Sequence, residues 1–233
     1  MPDAAAWPIA IACAYLIGAI PFGLLVARAR GIDIRAHGSG NIGATNVTRV
    51  LGKRLGRIVF LLDFAKGALP VLITGLALGP LARHAAPLAP PVALAWTAVA
   101  VAAILGHIFP VYLRFKGGKG VATTFGALLA LWPFVTLACA LAMLTWVITL
   151  KLTRYVSVSS CAAAIALPLG VLLAAASGIT TSAPGLEGIA QAWPFAAATA
   201  LVAALVIARH RANLARVRAG TEPKVGRPKP LPT

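Results

Sequence analysis

A chain of 233 residues that is 60% hydrophobic and only 11% charged, with a mean hydropathy of +0.89, is not a soluble globular domain. Several of its apolar runs approach or exceed the roughly 20 residues that cross a bilayer, so the composition predicts an all-α polytopic membrane protein. Its formal charge of +16 comes from basic residues scattered between those runs. That placement points to topology, anionic lipid and anionic substrates, and away from nucleic acid.

Taken in chain order, the first span covers residues 4–27. No basic segment precedes it, so it reads as a retained helix rather than a cleaved signal peptide, and neighbouring helices accommodate Pro8 and Pro21. Arg28 and Arg30 stop it, and a polar insert runs on to Arg57. Within the insert Gly38, Gly40 and Gly43 alternate with Ser39, Asn41, Thr45 and Asn46, and Arg49 lies one helical turn beyond Thr45. Small hydrogen-bonding side chains on a glycine-rich backbone, backed by arginine, suit a phosphate or polyol headgroup. On this segment alone a plain connecting loop fits equally well.

The second span, 58–79, carries Asp63 and Lys66 on one helix face. Charges at that depth are costly unless paired or facing a polar cavity. A self-neutralising structural pair is the better reading for Asp63, and Lys66 stays open. A Pro-rich turn then leads to the third span, 92–113, which holds His107 near its end. It delivers the stretch Arg114-Phe115-Lys116-Gly117-Gly118-Lys119-Gly120-Val121-Ala122-Thr123-Thr124. Its glycines allow positive φ and close approach to main-chain N–H groups, while Lys116 and Lys119 bracket those amides and Thr123 and Thr124 add hydroxyls. A nest of this kind at a helix start binds an anion, most plausibly phosphate. The Walker spacing is absent. Topology alone would account for the lysines but not for the glycines.

Residues 121–150 are apolar, and Lys151 and Arg154 follow. A further span covers 157–176, a loop with Glu187 comes next, and the last span is 192–208, before a basic tail. The segments 28–57, 114–119, 151–154 and 209–229 hold 19 of the 21 Lys and Arg residues. The positive-inside rule places all four in the cytoplasm and the N-terminus outside. Parity then requires 121–150 to enter the membrane and return, as a hairpin of two short helices split near Trp132-Pro133. The count becomes about seven transmembrane helices, with the C-terminus cytoplasmic. The alternative is one long tilted span, which places Lys151 and Arg154 outside. The expected organisation is one integral-membrane domain over 1–208 with cytoplasmic loops 28–57, 114–120 and 151–156. A basic segment 209–233 follows, its first part completing the site and 225–233 a disordered tail.

Cys13, Cys139 and Cys161 lie inside apolar runs without metal-ligand spacing, and the five acidic residues are not clustered. No disulfide framework, metal site or cofactor is expected. If the last helix continues past 208, Arg209, Asn213 and Arg216 share one face, with His210 beside Asn213. Polytopic architecture and basic loops also fit a transporter of a phosphorylated or organic anion, with the short hairpin as its binding site.

Three blocks together are more specific. They are Gly38-Ser39-Gly40-Asn41-Ile42-Gly43-Ala44-Thr45-Asn46 through Arg49; Gly106-His107-Ile108-Phe109-Pro110 through Phe115-Lys116-Gly117-Gly118-Lys119-Gly120-Val121-Ala122-Thr123; and Arg209-His210 through Asn213, Arg216, Gly220 and Glu222. Asp63, Lys66-Gly67, Tyr155 and Ser157 fit as weaker points. In these the chain resembles the bacterial membrane acyl-phosphate:glycerol-3-phosphate acyltransferase family, over residues 8–224. The resemblance implies acyl transfer from acyl phosphate to the 1-hydroxyl of glycerol 3-phosphate, on the cytoplasmic side of the bacterial inner membrane. The products are lysophosphatidic acid and inorganic phosphate. The His-x4-Asp pattern common in other glycerol-phosphate acyltransferases is absent, so the mechanism must differ.

The expected mechanism is direct transfer, in which the protein aligns the reactants and neutralises the leaving phosphate. Lys116, Gly117, Gly118, Lys119, Gly120 and Thr123 are expected to hold phosphate. Ser39, Asn41, Thr45, Asn46, Arg49 and Ser157 complete the two-substrate site, and His210 and Asn213 orient the acceptor. Ser39, Lys116 and His210 are the candidates closest to the chemistry. The acceptor's proton goes to His210 or to the donor phosphate, and no Ser-His-Asp pattern supports Ser39 as a nucleophile.

Overall fold

The computed structural model describes residues 5–82 and 88–226. The expected disordered tail therefore falls, from residue 227 onward, outside the described residues, as does Arg83. Ten α-helices are present among the described residues: α1 (Ala6–Gly18), α2 (Phe22–Arg28), α3 (Ala44–Leu51), α4 (Lys53–Ala77), α5 (Pro90–Ile108), α6 (Val121–Leu129), α7 (Thr136–Thr153), α8 (Val156–Ala176), α9 (Gly185–Gln191) and α10 (Trp193–Arg218). Among the described residues, six segments are long and apolar enough to cross a membrane: Ala6–Arg28, Lys53–Ala77, Pro90–Leu113, Thr136–Thr153, Val156–Ala176 and Trp193–Arg218. The nine-residue α6 is only about 14 Å long and is not among them.

Several boundaries differ from the expectation for one reason, namely that charge marks the edge of the bilayer and not the end of a helix. The span expected from residue 58 begins at Lys53, directly after Gly52 at φ +89°. The span expected to end at 208 runs on to Arg218, so its 26 residues extend about 39 Å and its last turns leave a hydrocarbon core of about 30 Å. In contrast, α5 stops at Ile108, because Pro110 bars helix two residues on, and a 3₁₀ turn over Val111–Leu113 follows. The 121–150 run breaks at residues 130–135, around Trp132-Pro133, but into helices of nine and eighteen residues, the second of them long enough to cross a membrane rather than one of two short ones.

The chain forms two compact units, Met1–Thr136 and Leu137–Thr233. In the first, α1 packs on α5 and α4 packs on α6. Both crossings depend on small residues. A methyl on Gly18 would overlap the Ala103 backbone, and one on Gly106 would overlap Tyr15. Gly67 and Gly126 meet the backbones of Thr123 and Phe64 in the same way. Between membrane helices, such residues bring backbones close enough for dispersion contacts to hold the pair.

The polar insert is also folded. Leu24, Ala27, Ile34, Ile42, Val47 and Val59 form a buried cluster that pins it to α2 and α4, and Leu113 packs against that cluster from the start of the glycine-rich stretch. In the second unit α8 packs along α10, and α9 covers part of α8 in the 177–192 connection.

Candidate active site

In the Met1–Thr136 unit, Pro21 breaks the first span between α1 and α2. The carbonyl of Ile20, at that break, accepts a 2.7 Å hydrogen bond from Lys66 Nζ. Lys66 also forms a 2.8 Å ion pair with Asp63, and both side chains are buried. The Asp63 carboxylate lies 3.6 Å from Nδ1 of buried His107. Asp63 is therefore the structural pair expected of it, and Lys66 does a further job by holding the broken first span.

The glycine-rich stretch turns back on α5. Gly118 N–H donates to the His107 carbonyl at 3.1 Å, and Phe115 N–H donates to Pro110 at 2.9 Å. Arg114 and Phe115 both take positive φ, at +50° and +63°. Of the three loop glycines only Gly120 does so, at +82°. The reason for Gly117 and Gly118 is different: a methyl on Gly118 would overlap the His107 ring, and one on Gly117 would overlap the His107 and Ile108 carbonyls. Gly120 then opens α6, whose first turn carries Thr123 and Thr124. Both hydroxyls are buried and have no hydrogen-bond partner among the described residues, as is also true of Thr136 at the start of α7. Lys116 is exposed and Lys119 half-buried.

The insert is organised by Asn46. Its amide nitrogen donates to the carbonyls of His37 at 3.0 Å, Asn41 at 2.9 Å and Ile34 at 3.3 Å. Its oxygen accepts from Ser39 N–H at 2.9 Å. Asn41 in turn accepts from Gly43 N–H at 2.8 Å. These two side chains shape the loop that presents Ser39. Ser39, Thr45 and Arg49 are exposed. Within the Met1–Thr136 unit the Ser39 hydroxyl makes no hydrogen bond to the described residues. At the edge of the insert Asp33 caps the Ile34–Ala36 turn, and its hydrogen bonds to Arg35 hold its carboxyl well below the usual carboxylate range.

In the Leu137–Thr233 unit, the continued α10 places His210 and Asn213 on its buried face. Glu222, in the segment after α10, joins three further residues. It accepts from Asn213 Nδ2 at 2.6 Å, Arg216 Nε at 2.8 Å and Ser157 Oγ at 3.4 Å. His210 Nδ1 lies 2.8 Å from the Val206 carbonyl. A carbonyl only accepts, so Nδ1 carries the proton, and in the neutral ring Nε2 is the basic nitrogen. Val225 N–H donates to Arg154 at 2.9 Å, which returns the chain to the start of α8.

A family model for glycerol-3-phosphate acyltransferase matches residues 8–220. This chain belongs to the glycerol-3-phosphate acyltransferase family. Two relatives of that name, from Myxococcus xanthus and Geotalea daltonii, are 47% and 44% identical over 209 residues. The matches cover 89% and 90% of this chain and 94% and 92% of the relatives. Two crystal structures of PlsY, an integral membrane glycerol 3-phosphate acyltransferase, have the same fold at 35% identity, covering 94% of this chain. Its glycerol 3-phosphate form, covered to 96%, superposes with a TM-score of 0.74, and its lysophosphatidic acid form, covered to 95%, with 0.72. Family membership decides between the two readings of the sequence in favour of the acyltransferase, and the chain is an integral membrane enzyme of phospholipid synthesis.

Glu222 stands in the third motif without an expected role, although a carboxylate in a chain with only five acidic residues, close after Asn213 and Arg216, is a usable signal.

Proposed function

We propose that this acyltransferase draws its acyl group from acyl phosphate and transfers it directly to the 1-hydroxyl of glycerol 3-phosphate. The acceptor oxygen bonds to the acyl carbon as the bond from that carbon to phosphate oxygen breaks. Phosphate leaves with the electron pair, and the acceptor's proton goes to the leaving phosphate or to His210 Nε2. The reading is supported chiefly by one stretch: two lysines, the N–H groups at the start of α6 and the buried hydroxyls of Thr123 and Thr124, with no carboxylate among them. Such a group favours a dianionic phosphate and its developing charge.

Lys116, Lys119 and the Gly117–Gly120 backbone are assigned to phosphate, with Thr123 beside them. Ser39, Thr45 and Arg49 are assigned to substrate from the insert, and Asn41 and Asn46 support them by shaping it. Ser157, His210 and Asn213 are assigned to the acceptor. The basic segments face the cytoplasm of a bacterial inner membrane and the N-terminus lies outside, with α6 as the short seventh membrane helix. The test is conversion of radiolabelled glycerol 3-phosphate by purified protein. Acyl phosphate should yield lysophosphatidic acid and inorganic phosphate in equal amounts; equal rates from acyl-CoA would sink the donor assignment.

A further inference from the structure

The cluster behind the glycine-rich loop has a composition that packing alone does not explain. An ion pair deep in a membrane protein is costly, and apolar residues of similar volume hold helices together as well or better. Lys66, Asp63 and His107 nevertheless form a buried chain that starts at the Ile20 carbonyl and ends at the loop. At its far end, His107 meets the loop in two ways. Its carbonyl takes the Gly118 N–H, and its ring fills the space that any side chain at Gly118 would need. The ring thus backs the Gly117–Gly118 backbone directly, and the Asp63 carboxylate, 3.6 Å from Nδ1 and beyond hydrogen-bond distance, presents a negative charge to it.

We infer that Asp63 and His107 are positioning residues for the phosphate-binding loop, with Lys66 fixing Asp63 to the break in the first span. The inference rests on the assignment of that loop to phosphate. Neither residue touches substrate. Their effect is to hold the Gly117–Gly120 amides in the arrangement that receives an anion, so their loss weakens binding of the substrate held by the loop more than it slows turnover at saturation.

The experiment uses the full-length protein in detergent, with KM measured for each substrate, kcat and thermal unfolding. Lys119→Gln first identifies which substrate's KM reports the loop. Asp63→Asn combined with Lys66→Gln removes both charges together, so neither is stranded. Positioning requires the reporting KM to rise about tenfold or more, with kcat and the other KM within about threefold. An unchanged reporting KM, or both KM values and kcat worsening together, overturns the inference.

A second arm keeps the inference testable should that double variant fail to fold. Gly118→Ala alone drives a methyl into the His107 ring, and His107→Ala alone removes the ring. Combined, they should impair the reporting KM less than the product of the single effects, since the methyl takes up the vacated space. Strictly multiplicative effects count against a direct ring–loop contact. If Lys116→Gln and Lys119→Gln leave both KM values unchanged, the phosphate assignment fails; if they respond while the Asp63, Lys66 and His107 variants do not, only the positioning role fails.

Discussion

Removing the Glu222 carboxylate tests whether the third motif is a structural clasp. Glu222→Ala takes the acceptor from three donors at once: Asn213 at 2.6 Å, Arg216 at 2.8 Å and Ser157 at 3.4 Å. A charge-assisted hydrogen bond contributes about 1.5–3 kcal/mol, and the short bond from buried Asn213 belongs in that range. Arg216 is 42% exposed, so solvent screening holds its bond to about 1 kcal/mol or less. The long Ser157 contact adds a few tenths, roughly. The loss is then about 2–4 kcal/mol.

Glu222→Gln keeps an oxygen for Asn213 and Ser157 but loses both the charged partner of Arg216 and the charge that strengthens the Asn213 bond, so about 1–2 kcal/mol is expected. On the scale of soluble domains of this size, the alanine variant should unfold roughly 4–16 °C below the parent and the glutamine variant only a few degrees below it. Thermal unfolding of the purified proteins in one detergent measures both, with lysophosphatidic acid formation assayed in parallel. An alanine variant that melts within about 2 °C of the parent, or a glutamine variant that melts as low as the alanine one, refutes the clasp.

Further outcomes follow from the loop and the topology. Lys116→Gln and Lys119→Gln should each lower kcat/KM by about tenfold to a hundredfold through lost charge-assisted bonds, and steady-state kinetics at normal melting temperature check this. Wild-type kinetics in both variants would falsify the phosphate nest. Activity should survive EDTA, because neither the sequence nor the described residues group three metal-ligating side chains; restoration by magnesium after chelation argues the opposite. Single cysteines placed at 151–154 in a cysteine-free background should resist an impermeant thiol reagent in intact cells. Labelling there as strong as in the 80–91 turn would show that 121–150 crosses once.

Much of the fold was legible because the bilayer imposes a coarse requirement. Every spanning segment must be apolar over about 20 residues and satisfy its own backbone. Span positions therefore emerged from hydropathy, and the break near Trp132-Pro133 emerged from proline and length. Hydropathy does not mark where a helix continues through water. It missed the entry of α4 at Lys53, the extension of α10 to Arg218, and α3, which is helical but lies in the polar insert. The helix α9 in the 177–192 connection was invisible for the same reason: seven residues with one charge give no periodicity to read.

The residue types of the proposed site stand in the sequence, but the bonds each atom makes within the fold do not. The sequence offers Gly117 and Gly118 as space for a ligand, and the structure shows them as space for His107. One pattern serves both needs, because a loop that presents its amides on one side must pack closely on the other. Asn46 shows the same ambiguity. A buried asparagine among glycines looks like a ligand-binding side chain, yet its amide is engaged by Ile34, His37, Asn41 and Ser39 of its own loop. Sequence supplies the donors and acceptors of a phosphate site, and only the fold shows which of them the protein has already bonded to itself. Lys116, Ser39 and Arg49 are exposed and their side chains make no hydrogen bond or ion pair to the described residues, while the asparagine side chains and the Gly118 N–H are engaged by the chain itself. That division separates groups able to meet a charged substrate from the frame that aims them.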